Sequence, residues 1–143
     1  KKYYPNWTLR IVGGGSTHDL IQKVKKYNLD DVIEFVGPTT NMDNEYKKSS
    51  IFVLSSRAEP FGLVIIEAMS FGVPVVSFDC PNGPREIIDG LLVENGNVKA
   101  MSVAIMKMIA DQNERKRMGR AAIRKYNNKF TVDKAIAIWL SIL

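Results

Sequence analysis

Two carboxylates, Glu59 and Glu67, are the residues whose spacing suggests chemistry, because a predicted helix start at Gly62 falls between them. Glu59 lies in a loop that follows a predicted strand, and Glu67 lies inside the helix that Gly62 opens. A helix rises about 1.5 Å per residue, so Glu67 sits roughly 7 Å along the helix from Gly62. The free N–H groups and the dipole at a helix N-terminus attract anions. The pattern therefore predicts a phosphate site between two carboxylates that accept hydrogen bonds from hydroxyl groups.

Glu67 also has a purely structural explanation. The segment 61–71 is nearly apolar on every side, and a carboxylate in such a helix is costly unless it is paired or hydrogen-bonded. A basic side chain such as Arg57 or Arg85 would satisfy it. The residues alone leave both explanations open, the anion site and the structural ion pair.

The glycine run 13–15 follows a short apolar segment and raises the question of a dinucleotide site. The dinucleotide fingerprint needs a glycine where the sequence has His18, and no Gly-Lys-Ser or Gly-Lys-Thr follows as in a phosphate-binding loop. We therefore expect a tight turn, followed by a helix that Ser16 or Thr17 caps, with Asp19 completing a capping box with Ser16. His18 is the only histidine, and we expect it on the surface or at the helix cap.

Short apolar runs alternate with helical patterns along the chain, which predicts an α/β fold with a Rossmann-like parallel sheet flanked by helices. Strands are expected at 9–12, 32–36, 51–54, 73–78 and 91–93. Helices are expected at 20–27, 42–49, 61–71, 85–88, 101–109, 114–128 and 132–142. Ligands bind such sheets outside the carboxyl ends of the strands. The segments of interest are therefore 13–17, 37–43, 55–62 and 79–85.

The composition is that of one ordinary globular domain. The chain has 143 residues, of which 45% are hydrophobic and 24% charged, and a chain of this size can bury a core of its own. A net charge of +5 permits an anionic partner, although solvated helix faces explain it more simply. No nucleic-acid-binding motif or aromatic stacking set is visible, so we expect no nucleic-acid partner.

Cys80 is the only cysteine, so we expect neither a disulfide scaffold nor a structural zinc site, and a reducing compartment is the default. The first residues lack the apolar stretch of a signal peptide, and no run approaches the roughly 18 apolar residues of a membrane span. The last predicted helix carries an apolar stripe that is expected to be partly exposed or self-paired, with ordinary core packing as the alternative. The stripe consists of Ala135, Ile136, Ile138, Trp139, Ile142 and Leu143.

The segment 59–75 carries a spaced pattern that resembles a known family. Its elements in register are Glu59, Phe61, Gly62, Glu67, Ala68, Met69, Gly72, Pro74 and Val75. The pattern resembles the Glu-x7-Glu motif of the retaining GT-B glycosyltransferases of family 4, the glycosyl transferases group 1, with Pro60 in place of the usual glycine. The flanking segments 9–15, 35–37 and 79–88 resemble the same family. The last of them is similar to the corresponding loop in hexose and N-acetylhexosamine transferases that build bacterial surface glycans.

The resemblance implies that the chain is the C-terminal half of a GT-B fold. Enzymes of the family have two Rossmann-like domains with the active site between them, and residues 1–143 correspond to the second, nucleotide-sugar-binding domain. The first strand and helix of that domain are expected to be missing, together with the Arg and Lys that neutralise the diphosphate. The acceptor-binding N-terminal domain is expected to be absent too, so we expect this fragment to be inactive alone. The segment after Ile88 is also shorter than the family's pattern.

The resemblance also assigns roles to individual residues. Glu67 matches the glutamate that binds the ribose hydroxyls of the nucleotide. Glu59 matches the catalytic glutamate that contacts the donor sugar and stabilises the transition state. Backbone groups are implied to complete the donor site, those of Phe61, Gly62 and Leu63 at the sugar and diphosphate, and those of Gly37 and Pro38 at the base. No metal and no cofactor is implied, because the nucleotide-sugar is itself a substrate.

The implied reaction is transfer of a hexosyl or N-acetylhexosaminyl group from a nucleotide-sugar, with UDP-sugars first, to an acceptor hydroxyl with retention. The acceptor is expected to be a glycan or lipid-linked, and to bind through the missing N-terminal domain. The complete enzyme is expected in the cytoplasm, with peripheral association at the inner face of the membrane as one option. The alternatives are a nucleotide-sugar epimerase or a phosphorylase of the same fold, although no residue marks a pyridoxal-binding lysine. A non-catalytic nucleotide-binding module is the alternative from another class.

Overall fold

The computed structural model describes residues 4–88 and 90–142. The chain divides into two compact units, residues 1–42 and residues 43–143. The described strands form two parallel sheets, one in each unit. The predicted α/β class with parallel strands and flanking helices is thus confirmed, with the strands shared between two sheets.

The first unit is a β-α-β segment. Strand β1 (Leu9–Val12) leads through helix α1 (His18–Lys26) to strand β2 (Ile33–Gly37). The two strands are parallel, and the register shifts after Ile11, so that Val12 lies opposite Gly37. Both strands are the short apolar runs that the sequence predicts.

The start of α1 differs from the prediction. The N-cap residue is Thr17, and its side chain makes no capping hydrogen bond. Thr17 has φ −101° and ψ 2°, whereas a capping side chain usually requires an extended backbone. The predicted capping box of Ser16 with Asp19 is therefore wrong. His18 is exposed, as expected, and its Nε2 lies 2.8 Å from Nε2 of Gln22.

The second unit begins with helix α2 (Met42–Lys48), which crosses the boundary between the units. The elements that follow are β3 (Phe52–Leu54), α3 (Leu63–Ser70), β4 (Val75–Asp79), α4 (Pro84–Ile87), β5 (Leu91–Glu94), α5 (Val98–Ala110), α6 (Gln112–Lys129) and α7 (Val132–Ile142). The sheet order is β3-β4-β5, and both strand pairs are parallel. Each predicted element is present, with ends that differ from the prediction by a few residues at most.

Strand β4 lies at the centre of this sheet and carries the core. Its first four residues, 75–78, are all buried, which suits an apolar strand covered by helices on both faces. A core cluster forms around Val76, Phe78, Met101, Ala104, Met108 and Met118. On α3, the buried residues are Ile65, Ala68 and Met69.

Helix α6 packs closely against the turn that follows α3. A Cβ atom added at Gly119 would lie 2.2 Å from the carbonyl oxygen of Gly72, so only a glycine fits there. This close approach holds the C-terminal end of α3 against α6. It explains the glycine on α6, which no motif marks, whereas Gly72, part of the motif, is favoured by its φ of 68° in the left-handed region.

Helix α7 has no buried residue among those described. Of the predicted stripe, Ile136, Ile138 and Trp139 are 50%, 59% and 69% exposed. The prediction of an exposed apolar stripe is confirmed, while Leu143 lies outside the described residues. No helix in the described part of the chain has the length and apolar character needed to cross a membrane.

Candidate functional site

The predicted site lies in the connection between β3 and α3. Strand β3 ends at Leu54 and α3 begins at Leu63, with the half-buried Glu59 in the loop between them. This loop follows the carboxyl end of a parallel strand, the position where ligands bind in open α/β sheets. The exposed side chains of Phe61 and Leu63, at 48% and 64%, stand on either side of the helix start.

Gly62 sets the direction in which α3 begins. It is the N-cap residue, it is buried, and its φ of 93° lies in the left-handed region. A Cβ atom there would also lie 2.9 Å from Cδ1 of Ile65. Glycine therefore fits both the backbone conformation and the space. The start of an eight-residue helix is thus held beside Glu59.

The loop that follows β4 presses directly against the Glu59 loop. Gly83 has φ 86°, and a Cβ atom on it would lie 1.9 Å from the carbonyl oxygen of Phe61. The two loops are therefore in backbone contact. Asn95, just after β5, adds a second link, because its side-chain amide donates to the carbonyl of Arg57 at 2.9 Å.

Cys80 lies beside Glu59 as a result of this contact. The thiol is buried, with 3% of the residue exposed. Burial raises the pKa of Cys80, and the negative charges of Glu59 and Asp79 raise it further. The side chain therefore stays a neutral thiol near neutral pH.

An open cleft of about 450 Å³ lies along the loop that follows β4. It is lined by Asp79, Cys80, Pro81, Asn82, Gly83, Arg85, Glu86 and Asn95. Arg85 forms an ion pair with Asp79, and its Nε donates to Oδ1 at 3.0 Å. This hydrogen bond, helped by the positive charge, holds the pKa of Asp79 below its usual value.

Glu67 is exposed on α3, and its described hydrogen-bond partner is Tyr46 of α2. The Tyr46 hydroxyl donates to Oε2 of Glu67 at 2.8 Å. In the described part of the chain no ion pair joins Glu67 to Arg57 or Arg85, since Arg85 is paired with Asp79. The structural alternative of an arginine partner is therefore wrong, because a neutral hydroxyl and solvent satisfy the carboxylate.

Tyr46 is the functional candidate that the sequence analysis missed. The residue is only 3% exposed. Burial raises its pKa, and the hydrogen bond to Glu67 and the charge of Glu67 raise it further. The phenol therefore stays protonated and acts as a donor. Its signal in the sequence is a large aromatic residue alone on the short polar helix 42–48.

The five site residues predicted between 59 and 67 lie in the second unit, whereas Gly37 and Pro38 lie in the first. Gly37 ends β2 with φ 75°, and Pro38 is exposed just after it. Both thus follow the carboxyl end of a parallel strand. Within residues 4–88 and 90–142, no group of three or more His, Cys, Asp or Glu side chains is arranged to hold a metal ion.

Comparison with known proteins identifies the family. Residues 1–125 match the sequence pattern of the glycosyl transferases group 1. The chain belongs to this family. Its fold matches the C-terminal domains of GT-B glycosyltransferases.

Individual relatives of this group 1 glycosyltransferase domain are longer proteins. This chain is 35% identical over 119 residues to the amylovoran biosynthesis glycosyltransferase AmsD of Erwinia amylovora. The match covers 81% of this chain and 34% of AmsD. Anabaena Alr3699/HepE, solved in complex with UDP, is 25% identical with a TM-score of 0.87, over 97% of this chain and 42% of that one. A mutant of S. aureus TarM, solved with Fondaparinux, alpha-GlcNAc-glycerol and UDP, is 29% identical with a TM-score of 0.85, over 94% and 28%. The chain thus spans well under half the length of each.

Proposed function

We propose that this chain binds the donor in a retaining glycosyltransferase of family 4, which transfers a hexosyl or N-acetylhexosaminyl group from a UDP-sugar to an acceptor hydroxyl. The observation that carries the proposal is the arrangement of Glu59 and Glu67 around the glycine start of α3, at the carboxyl end of β3. Family membership supports the reaction class. UDP in the similar structures supports the nucleotide, and the name of the Erwinia relative supports a role in polysaccharide synthesis.

The nucleotide is held by Glu67 and by the start of α3. The carboxylate of Glu67 is exposed and accepts from the ribose hydroxyls, for which it has acceptor positions beyond the one that Tyr46 uses. The diphosphate lies at the N-terminus of α3, where backbone N–H groups of Phe61, Gly62 and Leu63 meet its oxygens. The contact of Gly37 and Pro38 with the base, through their backbone, stays a prediction from the family resemblance.

Glu59 acts at the sugar. During transfer the bond between the anomeric carbon and the diphosphate oxygen breaks, and a bond to the acceptor oxygen forms on the same face of the sugar. Positive charge develops on the sugar ring and negative charge on the leaving diphosphate. The carboxylate of Glu59 stabilises the former, and the N-terminus of α3 stabilises the latter. The acceptor hydroxyl gives its proton to an oxygen of the departing diphosphate, which lies on the same face of the sugar.

The complete enzyme supplies what this chain does not. We propose that residues 1–143 form the larger part of the second domain. The expected missing strand and helix of that domain carry the Arg and Lys that neutralise the diphosphate. An N-terminal domain binds a glycan or lipid-linked acceptor. The exposed apolar face of α7 fits a helix that packs toward that domain. We propose that catalysis uses neither metal nor cofactor. We also propose a cytoplasmic enzyme, with peripheral association at the inner face of the membrane as one option.

A non-catalytic nucleotide-binding module is the second candidate, because the described site residues all belong to the donor side. The two candidates differ in turnover. The complete protein either transfers sugar to an acceptor or binds the nucleotide without consuming it. A nucleotide-sugar epimerase would convert the donor with no acceptor present.

The first prediction concerns nucleotide binding. Calorimetric titration of the chain with UDP, GDP and UDP-sugars is expected to show binding of UDP and its sugars, because Glu67 and the start of α3 recognise ribose and diphosphate. Glu67→Ala is expected to reduce the affinity at least about tenfold, as the loss of hydrogen bonds to a charged group implies. Glu114→Ala serves as the control, since Glu114 pairs with Arg117 on α6 and is expected to leave binding unchanged.

If the chain binds no nucleotide, the same titration is carried out on the complete protein, for which we propose the additional Arg and Lys at the diphosphate. Binding there that depends on Glu67 would support the donor site. An absence of binding there would overturn the proposed function.

A further inference from the structure

We propose that Tyr46 is a positioning residue that fixes the carboxylate of Glu67 for the ribose hydroxyls of the donor. This inference deepens the proposed function and rests on it. It adds a residue outside the segment 55–71 to the recognition of the nucleotide, and it assigns a role to helix α2.

The contact itself is a direct one between two helices. The Tyr46 hydroxyl on α2 donates to Oε2 of Glu67 on α3 at 2.8 Å, and it lies 3.5 Å from the carbonyl oxygen of Val64. A phenol has one proton to donate, so the shorter contact to the charged oxygen takes it. One oxygen of the carboxylate is thereby held, which restricts the conformations open to the Glu67 side chain.

The ring that carries this hydroxyl is buried and packed against two other aromatic rings. Tyr46 is 3% exposed. Its ring stacks on that of Phe71, with centroids 5.6 Å apart and an interplanar angle of 17°. The edge-on contact to Phe52 has centroids 6.0 Å apart. Phe52 begins β3 and Phe71 follows α3, so the elements that flank the donor loop also clamp the tyrosine.

The bond leaves Glu67 able to bind a ligand. A carboxylate has about four acceptor positions, and Tyr46 occupies one of them. Glu67 remains exposed, so the others face solvent. Two neighbouring hydroxyls, such as the ribose diol, are the ligand chemistry that a fixed carboxylate accepts best. Without Tyr46 the side chain would sample several rotamers, and binding would have to order it.

The opposing explanation is that Tyr46 only joins α2 to α3. A purely structural bond would lower the stability of the fold when it is removed, and it would affect every nucleotide alike. A positioning bond affects only ligands that reach Glu67. The two explanations therefore differ in how the effect depends on the ribose hydroxyls.

The test uses Tyr46→Phe in the complete glycosyltransferase, because phenylalanine keeps the ring between Phe52 and Phe71 and removes only the hydroxyl. The expected result is an increase of about tenfold in the Kd for UDP and in the KM for the UDP-sugar, with kcat nearly unchanged, because the contact is present in ground and transition states alike. Binding of 2′,3′-dideoxy-UDP is expected to be equal in both proteins. Tyr27→Phe, on an exposed tyrosine, is the control.

The double variant completes the test. In a Glu67→Ala background, Tyr46→Phe is expected to cause no further loss of UDP affinity, because its effect passes through Glu67. Additive losses, or equal losses for UDP and its dideoxy analogue, would overturn the positioning role. If Glu67→Ala alone leaves UDP binding intact, the proposed function of Glu67 fails instead.

If Tyr46→Phe unfolds, Phe71→Leu is measured in its place, because it loosens the ring and keeps the hydroxyl. The same dependence on the ribose hydroxyls is then expected.

Discussion

At the residue scale, the two glutamates are held in different ways. Glu59 is half-buried beside the neutral thiol of Cys80, in a loop that two neighbouring connections brace. Glu67 stands exposed on a helix and is fixed through one hydrogen bond to a buried tyrosine. The first arrangement suits a group that acts on a sugar brought to it. The second suits a group that accepts hydrogen bonds from the hydroxyls of a nucleotide.

The ion pair of Asp79 with Arg85 gives a prediction on pH. Because Arg85 lowers the pKa of Asp79 in the folded state, the pair stabilises the fold above the unfolded pKa of about 4. This contribution is lost as the pH falls through the lower folded pKa. The urea midpoint of the wild type is expected to exceed that of Asp79→Asn slightly at pH 7, with the difference vanishing toward pH 2. An equal difference at both pH values would contradict this.

Sequence and structure agree on Glu67 as a special residue but differ about its partner. A carboxylate among apolar neighbours correctly indicated a need for a hydrogen bond. The sequence suggests an arginine as the partner, whereas the partner in the structure is a tyrosine 21 residues earlier in the chain. Such a pairing depends on how α2 packs against α3, which propensity and spacing do not encode.

At the element scale, the site depends on two loops that touch through their backbones. Strands β3 and β4 could be predicted because continuous apolar runs mark buried parallel strands. The contact of Gly83 with Phe61 could not be predicted, because it depends on how the two loops pack against each other. The glycine looked like an ordinary turn residue in the sequence, and only the structure shows that its missing Cβ leaves room for the carbonyl of Phe61.

The contact gives a prediction at the same scale. Gly83→Ala is expected to destabilise the fold by about 2–4 kcal/mol, because a Cβ would meet the Phe61 carbonyl and the positive φ is also strained. It is also expected to weaken UDP binding by displacing the start of α3. Gly96→Ala is the matched control: its φ is likewise positive, but the nearest atom to a Cβ is Cζ of Arg57 at 3.7 Å. Chemical unfolding measures both, and equal losses would contradict a steric role for Gly83.

At the scale of the whole molecule, the order of elements was the most predictable property. Alternating strands and helices specified a parallel α/β fold, and the family comparison agrees. The division of the described strands into a sheet of two and a sheet of three was not predictable. An apolar run indicates that a strand is buried, but it does not indicate which strand it pairs with. The apolar stripe of α7 could be read from the sequence, and its partial exposure was expected from the family resemblance.

The most direct test of the donor-site proposal is a crystal structure of the complete enzyme with UDP bound. We expect the ribose hydroxyls within hydrogen-bond distance of the Glu67 carboxylate, with Tyr46 still donating to Oε2. The diphosphate is expected at the N-terminus of α3. With an unreactive UDP-sugar, the sugar is expected beside Glu59. A nucleotide bound elsewhere, or one whose ribose lies away from Glu67, would contradict it.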